Sequence, residues 1–267
     1  MRVDSVIEIK LVAIDLDGTL LDDHKDLSSR NRSALEKLLK QGVVIALASA
    51  RDCASIHLKI PIAMPGLYYI GNGGALIYDA VSKEVSWASY LSPKMVTPCV
   101  NFLRQFDHPV FLNSMDTYWV DRYNDRVKMI EERYNLLTTP FADDLEIKTP
   151  IMRVSLAAPV QILEQAASQA SEIFAGGMQV SLASPDWLDL LPLNAGKGQV
   201  LKVLQDQLQI SPDQTMAIGD YESDLPLFEQ ALVRVAMGNA GPAVKAASTF
   251  ITRTNNEDGV ARVLERI

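Results

Sequence analysis

Two carboxylates stand two positions apart in Asp15-Leu16-Asp17-Gly18-Thr19-Leu20, directly behind an apolar segment that ends at Ile14. Side chains alternate along a strand, so both carboxylates face one small volume at the strand's C-terminal end. Gly18 lets the backbone turn away sharply. Crowded carboxylates repel each other unless a proton or a cation lies between them. Oxygen ligands suit a hard cation such as Mg2+. One carboxylate of such a pair can then act as nucleophile and the other as acid and base. The plain alternative is a strand that ends in a solvated acidic turn.

Further segments argue against that alternative. They are Ala48-Ser49-Ala50-Arg51, Asn194-Ala195-Gly196-Lys197-Gly198 and Gly219-Asp220-Tyr221-Glu222-Ser223-Asp224. Each follows an expected strand or opens an expected helix, where open parallel sheets collect their ligands. Together they bring a hydroxyl, an ammonium, more carboxylates and backbone N–H groups, which is what a phosphoryl group with a bound metal needs. Lys197 falls in the first turn of its helix, where a cation opposes the macrodipole, and this favours a functional reason for it. Asp220 and Asp224 can also be read as a helix N-cap and a first-turn acid. Arg51 either binds substrate phosphate or pairs with a nearby acid. His24, His57 and His108 are scattered and suggest surface or core roles.

These segments need a frame. Apolar runs at 10–15, 43–48, 67–71, 215–218 and 232–237 read as strands. Between and after them, helices are predicted over 29–41, with Gly42 as C-cap, and over 197–209, 224–230, 242–247 and 259–266. Strands alternating with helices imply a Rossmann-like parallel sheet with helices on both faces, an α/β core. Asn72-Gly73-Gly74 predicts a turn into a strand at 75–78. The middle third differs. Strands with more polar alternation are expected at 85–91, 110–113, 117–121, 151–157, 178–183 and 187–191, with helices near 93–106, 124–134 and 159–174. The expected plan is a core from 1–81 and 189–267, interrupted by an α+β cap at 82–188.

Composition bounds the partners. Net charge is −8, with 48% hydrophobic residues, which argues against a nucleic-acid surface or an anionic membrane. A small anionic substrate would need a local positive pocket. No apolar run reaches the length of a membrane span, and the segment 1–8 lacks the hydrophobic region of a signal peptide. Cys53 and Cys99 form no framework and read as free thiols of a cytoplasmic protein, a monomer or a homodimer.

The four segments, in this order, resemble the motifs of the haloacid dehalogenase superfamily in its Asp-x-Asp phosphatase branch. The insertion after Asn72-Gly73-Gly74, the Gly238-Asn239-Ala240 segment and Asn256-Glu257-Asp258-Gly259-Val260 are similar to the Cof-type subfamily with an α/β cap. The resemblance implies Asp15 as nucleophile, Asp17 as general acid and then base, and Mg2+ held by Asp15, the Asp17 backbone carbonyl and Asp220, with Asp224 as ligand or orienter. It implies Ser49, Lys197 and Asn194 as phosphate-binding residues. Two positions depart from the family pattern. Ser49-Ala50-Arg51 stands where Thr-Gly-Arg is usual, and Ser223 where asparagine is usual. The implied activity is Mg2+-dependent hydrolysis of small phosphorylated metabolites, sugar phosphates above all, through an aspartyl-phosphate. A phosphomutase of the same fold, or a module phosphorylated on Asp15 without turnover, uses much of the same residue set.

Overall fold

The computed structural model describes residues 8–134, 136–141 and 148–267 of the chain, so the segment 1–7 read above for a signal peptide lies outside the described residues. Two sheets organise them. The larger has eight strands, in the order Phe250–Ile251, Val233–Ala236, Thr215–Gly219, Leu11–Asp15, Val44–Ala48, Leu67–Gly71, Leu76–Asp79 and Val85–Ala88. Neighbours pair in parallel as far as Leu67–Gly71 and antiparallel beyond it. Leu11–Asp15 is wholly buried, as a strand covered on both faces must be. Its core side chains are packed by Leu35 and Leu38 of the helix Ser29–Lys40 and by Val200, Leu201 and Leu204 of the helix Lys197–Leu208, within one apolar cluster.

The smaller sheet has six strands, in the order Met178–Ser184, Trp187–Pro192, Arg153–Ala157, Val110–Asn113, Tyr118–Val120 and Thr138–Pro140. Side-chain alternation divides it cleanly. Val110, Leu112, Val154, Leu156, Leu188 and Leu190 join the cluster that includes Leu103 of the helix Pro93–Arg104 and Leu163 of the helix Val160–Ile173. Phe111, Val120, Ala157 and Trp187 point the other way and pack with Val127 and Ile130 of the helix Asp125–Tyr134.

Sheet pairing redraws the expected division at 82 and 188. Val85–Ala88, expected in the insertion, is the edge strand of the larger sheet, antiparallel to Leu76–Asp79. The cause is local: the Asp79 carboxylate accepts from the Val81 and Ser82 N–H groups and Lys83 takes φ +61°, which folds the chain straight back on its neighbour. The expected break at 188 would also cut Trp187–Pro192, all of which lies in the smaller sheet. Sequence periodicity missed the helix Cys53–Lys59, which Asp52 caps by accepting from Ser55 N–H, and the short strands Thr138–Pro140 and Phe250–Ile251. The expected helix over 224–230 is a 3-10 turn at Glu222–Asp224 followed by the helix Leu225–Glu229. Cys53 and Cys99 are buried free thiols. No helix among the described residues is long and apolar enough to cross a membrane.

Candidate active site

Strand register brings the candidate residues together. Asp15 pairs with Ala48, and Ile14 with Ile218, so Asp15, Ser49 and Asp220 all emerge at the carboxyl edge of three adjacent parallel strands. The turn after Asp15 is fitted to Asp220. Gly18 has φ +91°, and a Cβ there would lie 2.5 Å from Asp220 Oδ2, so glycine is required on both conformational and steric grounds. Thr19 Oγ1 donates to Asp220 Oδ1 at 2.7 Å, and Asn239 Nδ2 donates to the Gly18 carbonyl at 2.8 Å.

Lys197 lies at the centre. Its Nζ donates to Asp15 Oδ1 and to Asp224 Oδ1, each at 2.7 Å, and all three side chains are buried. The lysine is set by the backbone before it: Gly196 takes φ +113°, and a Cβ on Gly74 would come within 2.3 Å of the Gly196 carbonyl carbon. The Asn72-Gly73-Gly74 turn therefore presses directly on the start of the lysine's helix. Asp224 uses its other oxygen on the backbone N–H groups of Asp220 and Tyr221, at 3.1 and 3.2 Å.

One ammonium thus stands among three carboxylates and bonds two of them. Burial, together with the charges of Asp224 and Asp220, pushes Asp15 well above the usual carboxylate range despite Lys197. Asp220 is pushed up to about 6 by burial and by Asp224, with Thr19 and Lys197 opposing. Burial alone would lower Lys197, but Asp15 and Asp224 outweigh it and hold the ammonium charged. Ionised, three carboxylates around one ammonium leave a negative charge that a further cation would offset. Carboxylate oxygens of Asp15, Asp220 and Asp224 lie within 4.8 Å of one another, a donor set that suits a hard divalent ion. The Ser223 hydroxyl beside them is buried with no hydrogen-bond partner among the described residues, an orphan that a bound group's water or oxygen would satisfy.

Asp17 behaves differently. Both its oxygens are taken by Arg51, whose Nε and Nη2 donate at 2.8 Å each, and Lys25 Nζ lies 3.1 Å away. Burial favours the neutral acid, yet the Arg51 and Lys25 contacts win and hold Asp17 below its ordinary value. Its side chain stands outside the carboxylate cluster. Asp224 has both oxygens engaged, by Lys197 and by two backbone N–H groups. Ser49 Oγ accepts from Arg51 N–H at 3.1 Å and lines the same cavity. Ala50 does not take positive φ, so alanine at that position strains nothing.

Asn194 departs from expectation. It is exposed, accepts from Ser89 Oγ at 2.5 Å and is absent from the cavity wall. The turn that Ala195 N–H closes onto the Pro192 carbonyl carries it away from Lys197.

The cavity holds about 240 Å3 between the two sheets. Its roof comes from the smaller sheet and its helices, in Tyr118, Arg133, Tyr134, Arg153, Ser184 and Trp187. Tyr134 lies under the Arg51 guanidinium at 5.0 Å, and Tyr118 OH donates to Asp52 Oδ2 at 2.9 Å, so two tyrosines of the insertion grip the Ser49–Asp52 loop. Of these, the sequence offered only Tyr118 and Trp187, as aromatics of the insertion that read as core before contact. Lys25 and Tyr134 carried no local signal. Arg153 did: an arginine inside an otherwise apolar strand asks for a buried partner.

A family model of haloacid dehalogenase-like hydrolases matches residues 12–264. The chain is a haloacid dehalogenase-like hydrolase. Relatives match nearly the whole of the chain. The YxeH protein of Bacillus subtilis is 28% identical over 264 residues, covering 97% of this chain and 98% of its own. The 5-amino-6-(5-phospho-D-ribitylamino)uracil phosphatase YcsE of the same organism is 23% identical over 258 residues, with 97% and 95% covered. A haloacid dehalogenase-like hydrolase from Bacteroides thetaiotaomicron, solved by crystallography, superposes with a TM-score of 0.85 at 28% identity, over 97% of this chain and 99% of that one. That structural match extends over both sheets of this hydrolase.

Proposed function

We propose that this hydrolase is a Mg2+-dependent phosphatase of small phosphorylated metabolites, sugar and polyol phosphates among them, working through an aspartyl-phosphate. The observation that carries the reading is Asp15 at the carboxyl edge of the central strand, bonded to a buried lysine and clustered with Asp220 and Asp224. The naming of YcsE for a phosphorylated ribityl compound supports the substrate class.

Asp15 and Asp220 are the residues that would hold Mg2+, the Asp17 carbonyl adding an oxygen as the family resemblance implies. When bound, the ion supplies positive charge that lets a carboxylate approach an anionic phosphate. The chain's own groups do the rest. The free oxygen of Asp15 attacks phosphorus and the bond to the leaving oxygen breaks. Lys197 and the Ser49 hydroxyl stabilise the equatorial oxygens. Asp17 gives its proton to the leaving alkoxide and later takes one from the water that cleaves the aspartyl-phosphate. Asp17 can carry that proton only after Arg51 has left it, since the paired carboxylate is held ionised. Substrate entry, by drawing Arg51 away, readies the acid.

The test is phosphate release from a panel of phosphomonoesters with Mg2+, with EDTA and in Asp15→Asn. Release that needs metal and vanishes in the variant is expected. Wild-type-like turnover in Asp15→Asn would remove the nucleophile and the proposal with it.

A further inference from the structure

Arg153 is 2% exposed, lines the cavity roof, and among the described residues makes one side-chain hydrogen bond, from Nη1 to Asp189 Oδ2 at 2.8 Å. Its Nε has no partner among the described residues. Burying a guanidinium with donors left over is costly unless something else completes them. Strand alternation places Arg153, with Ser155 and Asp189, on the sheet face away from the apolar cluster of Val154 and Leu156. Asp189 is itself engaged through both oxygens: Oδ1 accepts from Ser155 Oγ at 2.6 Å and Trp187 Nε1 at 2.8 Å. The pair is a rigid fixture, braced from behind and presented to the cavity that contains Asp15.

We infer that Arg153 is a specificity-determining residue, whose spare N–H groups take an uncharged oxygen, a hydroxyl above all, on the leaving group of the substrate. The inference rests on the phosphatase reading and adds to it a discriminating contact in the roof. Charge at the roof disfavours a second anion there. Arg153 is already balanced by Asp189, and Arg133 by Asp186. An acidic leaving group would find no uncompensated cation at Arg153, whereas an acceptor oxygen meets a waiting donor. A leaving group without oxygen leaves the guanidinium short, and a site built to bond an oxygen rejects the analogue lacking it.

The experiment compares kcat/KM for a polyol monophosphate, an n-alkyl phosphate of matched length, and a phosphorylated carboxylic acid, in wild type and Arg153→Lys. Lysine keeps the charge opposite Asp189 but loses the planar fork. Wild type should prefer the polyol phosphate over the alkyl phosphate about tenfold or more. Arg153→Lys should erase that preference while turnover of phenyl phosphate, whose leaving group has no second oxygen, stays within about threefold. A second readout is the rise in Tm of Asp15→Asn, with Mg2+, on adding each compound. The rise should be larger for the polyol phosphate and should lose that advantage in the Asp15→Asn/Arg153→Lys double variant. Equal wild-type rates on polyol and alkyl phosphates, or a uniform loss on every substrate in Arg153→Lys, would overturn the inference alone. A wild type that binds and hydrolyses none of them fails at the phosphatase reading and takes the inference with it. The wild-type comparison decides the matter even if Arg153→Lys does not fold.

Discussion

Replacing Asp220 by asparagine should make the metal-free protein more stable while destroying its use of metal. Folding raises the Asp220 carboxyl from 3.8 to about 6, through burial and the neighbouring Asp224. A folded value above the unfolded one makes the charged form a liability. The cost is absent below the unfolded value, grows from about pH 4 to pH 6, and is complete above that. At about pH 7.5 the shift corresponds to roughly 3 kcal/mol, and near pH 5 to roughly half of that. The amide keeps the acceptor for Thr19 Oγ1 and removes the charge. With EDTA present, Asp220→Asn should therefore melt above wild type by several degrees near pH 7.5, and the gap should narrow by about half near pH 5. Mg2+ should then raise wild-type Tm and leave the variant unmoved, because a ligand stabilises only the state that binds it. Thermal melts at two pH values, with and without Mg2+, suffice. A metal-free variant no more stable than wild type near pH 7.5, or an advantage that widens as pH falls, would refute the charge argument.

Lys197→Met should cost about 3–5 kcal/mol near neutral pH, because it strands buried carboxylates, and should abolish phosphate release. The loss should shrink at acid pH as those carboxylates protonate, which denaturant titration across pH will show. Gly18→Ala should weaken Mg2+ dependence and cost about 1 kcal/mol or more, since its Cβ would press on Asp220 Oδ2; a metal titration checks the first and a melt the second. Asn194→Ala should leave kcat/KM within about twofold, as the side chain bonds Ser89 away from the cavity, and a larger loss would return it to the site.

What the chain determines by itself is what lies close in sequence or repeats with a period. The buried strand before Asp15, the glycine turn after it and the amphipathic helix that begins at Lys197 are written in apolar spacing and residue type, so the α/β core and the carboxylates on its edge were legible. The match between Asp15, Ser49 and Asp220 followed because parallel strands with the same apolar length end at the same edge. Tertiary structure decided what depends on long-range approach. That Asp224 is spent on Lys197 and two backbone N–H groups, that Arg51 and Lys25 lock Asp17, and that Asn194 turns outward are outcomes of packing over separations no periodicity encodes. The roof was the least legible part. Its strands alternate, but sequence alternation does not say which face meets the core, and only the pairing of Arg153 with Asp189 behind Trp187 turned a polar interruption in an apolar strand into the wall of the cavity.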